Sequence, residues 1–121
     1  MAITTSNQTI SLGADVIKDT SVGLGPVENV TGGSGTWYTI VAVTTDAQQQ
    51  YLKLFDATSI TAGTTEPNWI LPCKANDTTV WTVPDGVTFS NGLSYFVSEE
   101  DGKEASTAPG NFQIWIVVKR S

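Results

Sequence analysis

The stretch Phe112-Gln-Ile-Trp-Ile-Val-Val-Lys119 decides the fold class. Every second residue in it, starting from Phe112, is apolar and would lie on one face of a β-strand. Five further apolar runs are separated by turn-forming residues, at a spacing that is typical of sandwiches and barrels and leaves no room for crossover helices. These runs are residues 36–44, 50–55, 68–71, 78–83 and 93–98. The sequence therefore predicts an all-β protein, an antiparallel β-sandwich of jelly-roll or immunoglobulin-like type with an extended N-terminal arm.

Details of the runs give more specific expectations. Both faces of residues 36–44 are largely apolar, which places this strand in the middle of a sheet or against a neighbour. Alternation within residues 50–55 predicts that Lys53 faces outward. Pro72 and Pro84 should end the third and fourth strands, because proline has no N–H to donate to a sheet.

Residues 1–35 differ in composition from the rest of the chain. They contain no Trp, Tyr or Phe but six of the 11 glycines, and they close with Thr31-Gly-Gly-Ser-Gly35. This pattern predicts an extended arm and a Gly-rich hinge over 1–35, followed by a β-sandwich body over 36–121. The apolar residues of the arm are candidates for a capsid or subunit interface. They are Ile3, Ile10, Leu12, Val16 and Ile17.

The composition indicates binding rather than catalysis. There is no histidine, which excludes the Cys-His and Ser-His-Asp arrangements, and the lone Cys73 is predicted to be a small buried hydrophobe. The acidic stretch 99–104 could hold calcium, but its spacing does not match the twelve-residue calcium loop. An enzyme with a carboxylate pair remains an alternative. We expect no catalytic residue, no cofactor and no metal.

Charge and hydropathy limit the possible partners. The formal net charge of −6 and the scattered basic residues argue against nucleic acid, whose binding needs clustered Lys and Arg. No positively charged leader with an apolar segment and no run of about 18 apolar residues is present, so we expect neither a signal peptide nor a membrane anchor. With few cations available, association should depend mainly on apolar contact and backbone pairing.

The four tryptophans all fall in predicted strands and allow two interpretations. In a small sandwich such residues usually belong to the core or to a subunit interface, whereas in a carbohydrate-binding module they form a flat stacking platform. The residues concerned are Trp37, Trp69, Trp81 and Trp115.

The order of motifs in the body resembles small β-sandwich structural proteins of tailed bacteriophages. The motifs are Tyr51-Leu-Lys-Leu-Phe-Asp56, a loop ending Gly63-Thr-Thr-Glu-Pro67, Trp69-Ile-Leu-Pro72 and Val87-Thr-Phe-Ser-Asn-Gly-Leu-Ser-Tyr-Phe-Val97. The resemblance covers roughly residues 36–120, and the arm lies outside it. Such proteins include capsid decoration, or cement, proteins.

The resemblance implies a protein that binds and stabilises an assembled capsid. Its partners would be the major capsid protein and further copies of itself, with a trimer as the leading expectation because shells offer three-fold sites. It would be made in the host cytoplasm and end on the surface of the virion. The alternative is a carbohydrate-binding or receptor-binding module of a phage tail or fibre.

Overall fold

A computed structural model describes residues 3–8 and 14–121. Within these residues the protein forms eight β-strands and no helix. The strands are β1 (Ile3–Gln8), β2 (Ala14–Asp19), β3 (Gly35–Thr44), β4 (Gln50–Asp56), β5 (Trp69–Cys73), β6 (Asp77–Phe89), β7 (Leu93–Ser98) and β8 (Phe112–Arg120).

The strands form two antiparallel sheets, so the predicted all-β class is confirmed. One sheet has five strands in the order β1-β2-β8-β3-β6, and the other has three in the order β5-β4-β7. The main apolar core combines side chains from both sheets and lies between them, an arrangement consistent with a β-sandwich. Its inward-facing residues include Ile40 and Ile116 from one sheet and Leu52 and Val97 from the other.

β8 has the inward face that its sequence predicts. Phe112, Ile114, Ile116 and Val118 are all buried, while the intervening residues are half-buried or exposed. β8 pairs with β2 on one side and with β3 on the other, which makes it the central strand of the five.

The segment 14–19 lies within the five-stranded sheet, not apart from it as an arm. Ile17 pairs with Ile116 and is fully buried in the core. The sequence pattern hid this strand because Asp15 and Asp19, two carboxylates, share the inward face with Ile17. Both have partners: Arg120 Nε lies 2.7 Å from Asp15 Oδ2, and the Tyr95 hydroxyl donates to Asp19 Oδ2 at 2.8 Å.

The glycine-rich segment before β3 is a turn fastened to the opposite sheet. Gly32 has a φ of 70° and Gly33 a φ of 149°, values that favour glycine. The buried Thr31 hydroxyl donates to the Gly33 carbonyl and accepts from the Leu93 backbone N–H. These bonds fix the turn in place, which differs from the free hinge that the glycine content predicts.

Neither Pro72 nor Pro84 ends its strand, contrary to the prediction. β5 continues to Cys73, and Pro72 pairs with Tyr51. β6 continues to Phe89, but its register with β3 shifts between Trp37 and Thr39, so residues 83–86 bulge opposite Tyr38. The missing N–H of Pro84 is tolerated because β6 is an edge strand. At the bulge Gly86 has a φ of 79°, and a Cβ there would lie 2.2 Å from Thr36 Cγ2, so only glycine fits.

Candidate interaction surface

The outer faces of the two sheets are covered to different degrees. On the three-stranded sheet, Phe55 and Phe96 point away from the main core, stack at 5.7 Å and form a second apolar cluster with Ile60. Ala62 and Ala105, from the loops 57–68 and 99–111, pack against that cluster. The protein's own loops therefore cover this face.

Lys53 faces outward from the main core, as the alternation predicts, on the same side of the sheet as Phe96. The covering loops nevertheless bury it instead of leaving it in solvent. Its side chain is fully buried, and its ammonium donates to the Ser98 hydroxyl and to the carbonyls of Glu100, at 2.5 Å, and Glu104, at 3.5 Å. Burial lowers the pKa of Lys53, while the carboxylates of Glu100, Glu104 and Asp101 oppose that shift. An ammonium has three donors, and each has an acceptor here. Lys53 thus fastens the loop 99–111 to the sheet.

The five-stranded sheet has no comparable covering among the described residues. The register aligns Val80, Val41, Trp115 and Lys18 in one row across β6, β3, β8 and β2. Val80 is 56% exposed, and Lys18 Nζ lies 5.2 Å from the centroid of the Trp115 ring. We call the outward apolar residues of this sheet the apolar face. They are Val16, Val41, Val43, Val80, Trp115 and Val117.

Charges are distributed unequally over the molecule. Among the described outward positions of β2, β3 and β8, none carries a carboxylate, whereas Lys18 and Lys119 both lie there. Acidic side chains are instead concentrated on the loop 99–104 above the other sheet, where Glu100 accepts the backbone N–H groups of Ser106 and Thr107. Burial alone would raise the pKa of Glu100, but these hydrogen bonds outweigh it and lower the pKa to about 2.

A cleft of about 370 Å³ opens at the β6 bulge. It is lined by Ala14, Tyr38, Thr82, Val83, Pro84 and Lys119, which come from β2, β3, β6 and β8. The cleft therefore crosses four neighbouring strands, and Thr82 lies two residues from Val80 of the apolar face.

The four tryptophans do not share a face. Trp37 is buried, and Trp69 packs edge-on against it with 6.3 Å between ring centroids. Trp81 packs against the main core and Trp115 lies on the apolar face.

The predicted arm residues are also dispersed. Ile3 is 43% exposed on the edge strand β1, Val16 belongs to the apolar face and Ile17 to the core. Ile10 and Leu12 lie outside the described residues. Of the three described members of this set, only Val16 therefore contributes to the apolar face.

Cys73 is buried as predicted, and burial raises its pKa to about 12. Such a thiol is a poor nucleophile. Within residues 3–8 and 14–121, no group of three or more His, Cys, Asp or Glu side chains is placed to hold a metal ion. The same part of the chain contains no helix that is long and apolar enough to span a membrane.

Comparison with known proteins finds no matching family model, no matching curated protein and no matching solved structure. The surface must therefore be interpreted from its own chemistry.

The candidate site was partly foreseeable from the sequence. The two apolar faces of residues 36–44 signalled that one side of β3 faces something other than the core. No sequence pattern indicated that Tyr38, Lys119 and Thr82 lie together. The bulge that brings them together forms where the register between β3 and β6 shifts, and strand register is not evident from the sequence.

Proposed function

We propose that this chain is a non-enzymatic virion structural protein, a decoration (cement) protein that binds an assembled phage capsid across subunit joints and stabilises it. The observation that carries the proposal is the apolar face, which the protein's own loops leave uncovered among the described residues. Val80 is exposed and the other five residues of this face are half-buried, so together they form a contiguous, partly exposed apolar surface. Such a surface on a small protein marks an interaction site.

The size of this face suits a protein that attaches weakly at many equivalent positions on a shell. The outer side of the five-stranded sheet, with strands about 4.8 Å apart and some 25 Å long, has an area of roughly 600 Å² per copy, and the apolar face occupies part of it. That is less than the roughly 800 Å² per partner of a standard stable interface. Weak attachment at many equivalent positions would still stabilise a shell, since its expansion or rupture would have to break all of the contacts together.

The remaining parts of the proposal follow from the resemblance to phage structural proteins. The partners would be the major capsid protein and other copies of this chain, in a small oligomer for which a trimer is the leading expectation. The protein would be made in the host cytoplasm and lie on the capsid surface. We also propose that the two-sheet body is a sandwich of jelly-roll or immunoglobulin-like type.

Co-sedimentation with purified tailed-phage heads tests the proposal. Val80→Asp places a charge in the apolar face on an edge strand and should reduce binding at least tenfold. Ile70→Asp is the matched control, because Ile70 is also exposed, at 36%, but lies on the three-stranded sheet. We expect Ile70→Asp to bind like the wild type, and we expect wild-type binding to persist at high sodium chloride.

Loss of binding in both variants, or in neither, would contradict attachment through the apolar face. Release of the wild type by moderate salt would show that ion pairs hold it. Failure of the wild type to sediment with any heads would remove the decoration function itself.

A carbohydrate-binding or receptor-binding module is the second candidate, favoured by the half-exposed ring of Trp115. A single ring with Lys18 over it offers a small platform. If this candidate is right, soluble glycans will shift the tryptophan fluorescence saturably, and Trp115→Phe will abolish that shift.

A further inference from the structure

We propose that the cleft at the β6 bulge binds a segment of the partner protein that presents an apolar side chain next to a carboxylate. The identity of that partner as a capsid protein rests on the proposed function. The chemistry of the bound segment rests on the cleft alone.

The bulge gives the cleft its shape. Four residues of β6, 83–86, stand opposite Tyr38, so the strand departs from regular pairing and the side chains of Tyr38 and Pro84 form walls. The cavity of about 370 Å³ is at the lower end of the range for ligand pockets, roughly 300–1,000 Å³. It therefore has room for one large side chain and the group beside it.

Three polar side chains line this cleft without a side-chain partner in the part of the chain that the structure describes. Among residues 3–8 and 14–121, none forms an ion pair or side-chain hydrogen bond with Lys119, Tyr38 or Thr82. The neighbouring Arg120, by contrast, is paired with Asp15. A few convergent polar groups in an otherwise apolar cavity are typical of a binding site.

Charge complementarity selects a carboxylate as the polar part of the occupant. The chain has a formal net charge of −6, yet the cleft lining includes Lys119 and no acidic residue. Tyr38 and Thr82 can donate hydrogen bonds to the same anion. Ala14, Val83 and Pro84 provide the apolar lining for the neighbouring side chain.

Continuity with the apolar face indicates that the occupant belongs to a protein. Thr82 lines the cleft and Val80, two residues earlier on the same face of β6, is the most exposed large apolar side chain described. A partner seated on the apolar face would thus reach the cleft. The ion pair with Lys119 would contribute selectivity more than affinity, which agrees with attachment that persists in salt.

The experiment titrates the full chain with two peptides and monitors binding in ¹⁵N-HSQC spectra. The probes are N-acetyl-Phe-Asp-amide and N-acetyl-Phe-Asn-amide, which match in shape and differ in charge. We expect both to shift the amide signals of Tyr38, Thr82 and Lys119, with the Asp peptide binding about threefold more tightly. Lys119→Gln should remove that difference, while Lys18→Gln, on the same face but outside the cleft, should retain it.

Three results would overturn the inference. One is the absence of shifts at the cleft, and another is an equal preference for the two peptides in the wild type. The third is that the cleft is already occupied in the free protein. Signals that shift with protein concentration would show that a second copy occupies it, and contacts between residues 9–13 and Tyr38 would show that the chain's own segment does.

Binding to heads separates this inference from the proposed function. Thr82→Tyr fills the cleft, and Thr78→Tyr, on the same face of β6 but outside the cleft, is its control. If both variants bind heads like the wild type, the cleft inference fails and the decoration function stands. If the peptides bind the cleft but wild-type protein binds no heads, the decoration function fails and the cleft chemistry stands.

Discussion

The two outer faces of this protein are both rich in apolar residues, but within residues 3–8 and 14–121 loops cover only one of them. On the three-stranded sheet, the long connections 57–68 and 99–111 fold back over Phe55 and Phe96. On the five-stranded sheet, the described connections between strands do not cover Val41, Val80 and Trp115. Among the described residues the chain therefore covers one face with its own loops and leaves the other, for which we propose a partner, without such a covering.

Truncating one aromatic residue on each face gives the largest expected difference. Phe96→Ala should lower the free energy of unfolding by about 4 kcal/mol, because Phe96 is fully buried and stacked on Phe55. Trp115→Ala should lower it by about 1 kcal/mol, since half-buried surface residues contribute less. Urea denaturation followed by circular dichroism measures both. Equal losses would show that the five-stranded face is also covered.

Two neighbouring residues of β2 sharpen the comparison. Ile17→Ala should cost about 3 kcal/mol, because Ile17 is fully buried between the sheets. Val16→Ala, which changes the outward residue next to it, should cost less than about 1 kcal/mol. The same urea titrations apply, and a negligible effect of Ile17→Ala would mean that β2 is an appendage instead of a core strand.

A matched pair of lysines provides the third prediction. Lys53→Met keeps most of the volume but removes the donor to the Ser98 hydroxyl oxygen and to the Glu100 carbonyl, at a cost of about 2 kcal/mol. The Glu104 carbonyl keeps the hydrogen bond from the Ser98 hydroxyl at 2.7 Å. Lys18→Met on the apolar face should change the unfolding midpoint little. Hydrogen exchange should also show faster exchange in the loop 99–111 of Lys53→Met alone. If that loop exchanges as in the wild type, Lys53 does not hold it.

The smallest effect concerns pH. The pKa of Glu100 is about 2 in the folded protein against 4.5 as its ordinary value, so its stabilising contribution is present above pH 4.5 and is lost as the pH falls toward 2. Glu100→Gln should therefore reduce the loss of stability between about pH 6 and about pH 3. Glu66→Gln, at an exposed ion pair with Lys103, is the control. An unchanged pH dependence in Glu100→Gln would contradict the assigned hydrogen bonds.

Much of the fold was predictable because six strands show clear apolar runs. Residues 93–98 match β7 at both ends, and β3, β4 and β8 differ from their predicted ranges by a single residue. Pairing of strands, however, depends on contacts distant in sequence. β2 escaped prediction because its inward face alternates carboxylates with Ile17. Two of the partners that make this pattern favourable, Arg120 and Tyr95, are about a hundred and about eighty residues away.

The candidate site was less predictable than the fold. Burial of Lys53 depends on carbonyls of a loop 47 and 51 residues further along the chain, which periodicity does not encode. The cleft depends on a bulge at Pro84, a residue that local rules assign to a strand end. The alternation pattern identifies outward apolar residues such as Val41. It does not show whether a loop covers them, because that depends on the tertiary structure.

The position of β8 between β2 and β3 has a consequence for how the chain folds. β8 is the last of the described strands in chain order, yet it supplies the pairing surface for β2 and β3. On a ribosome, the five-stranded sheet would remain open until residues 112–120 emerge. Folding dominated by such distant pairings is slow, on the order of milliseconds to seconds. During that interval the apolar strands would need protection from premature association with other nascent chains.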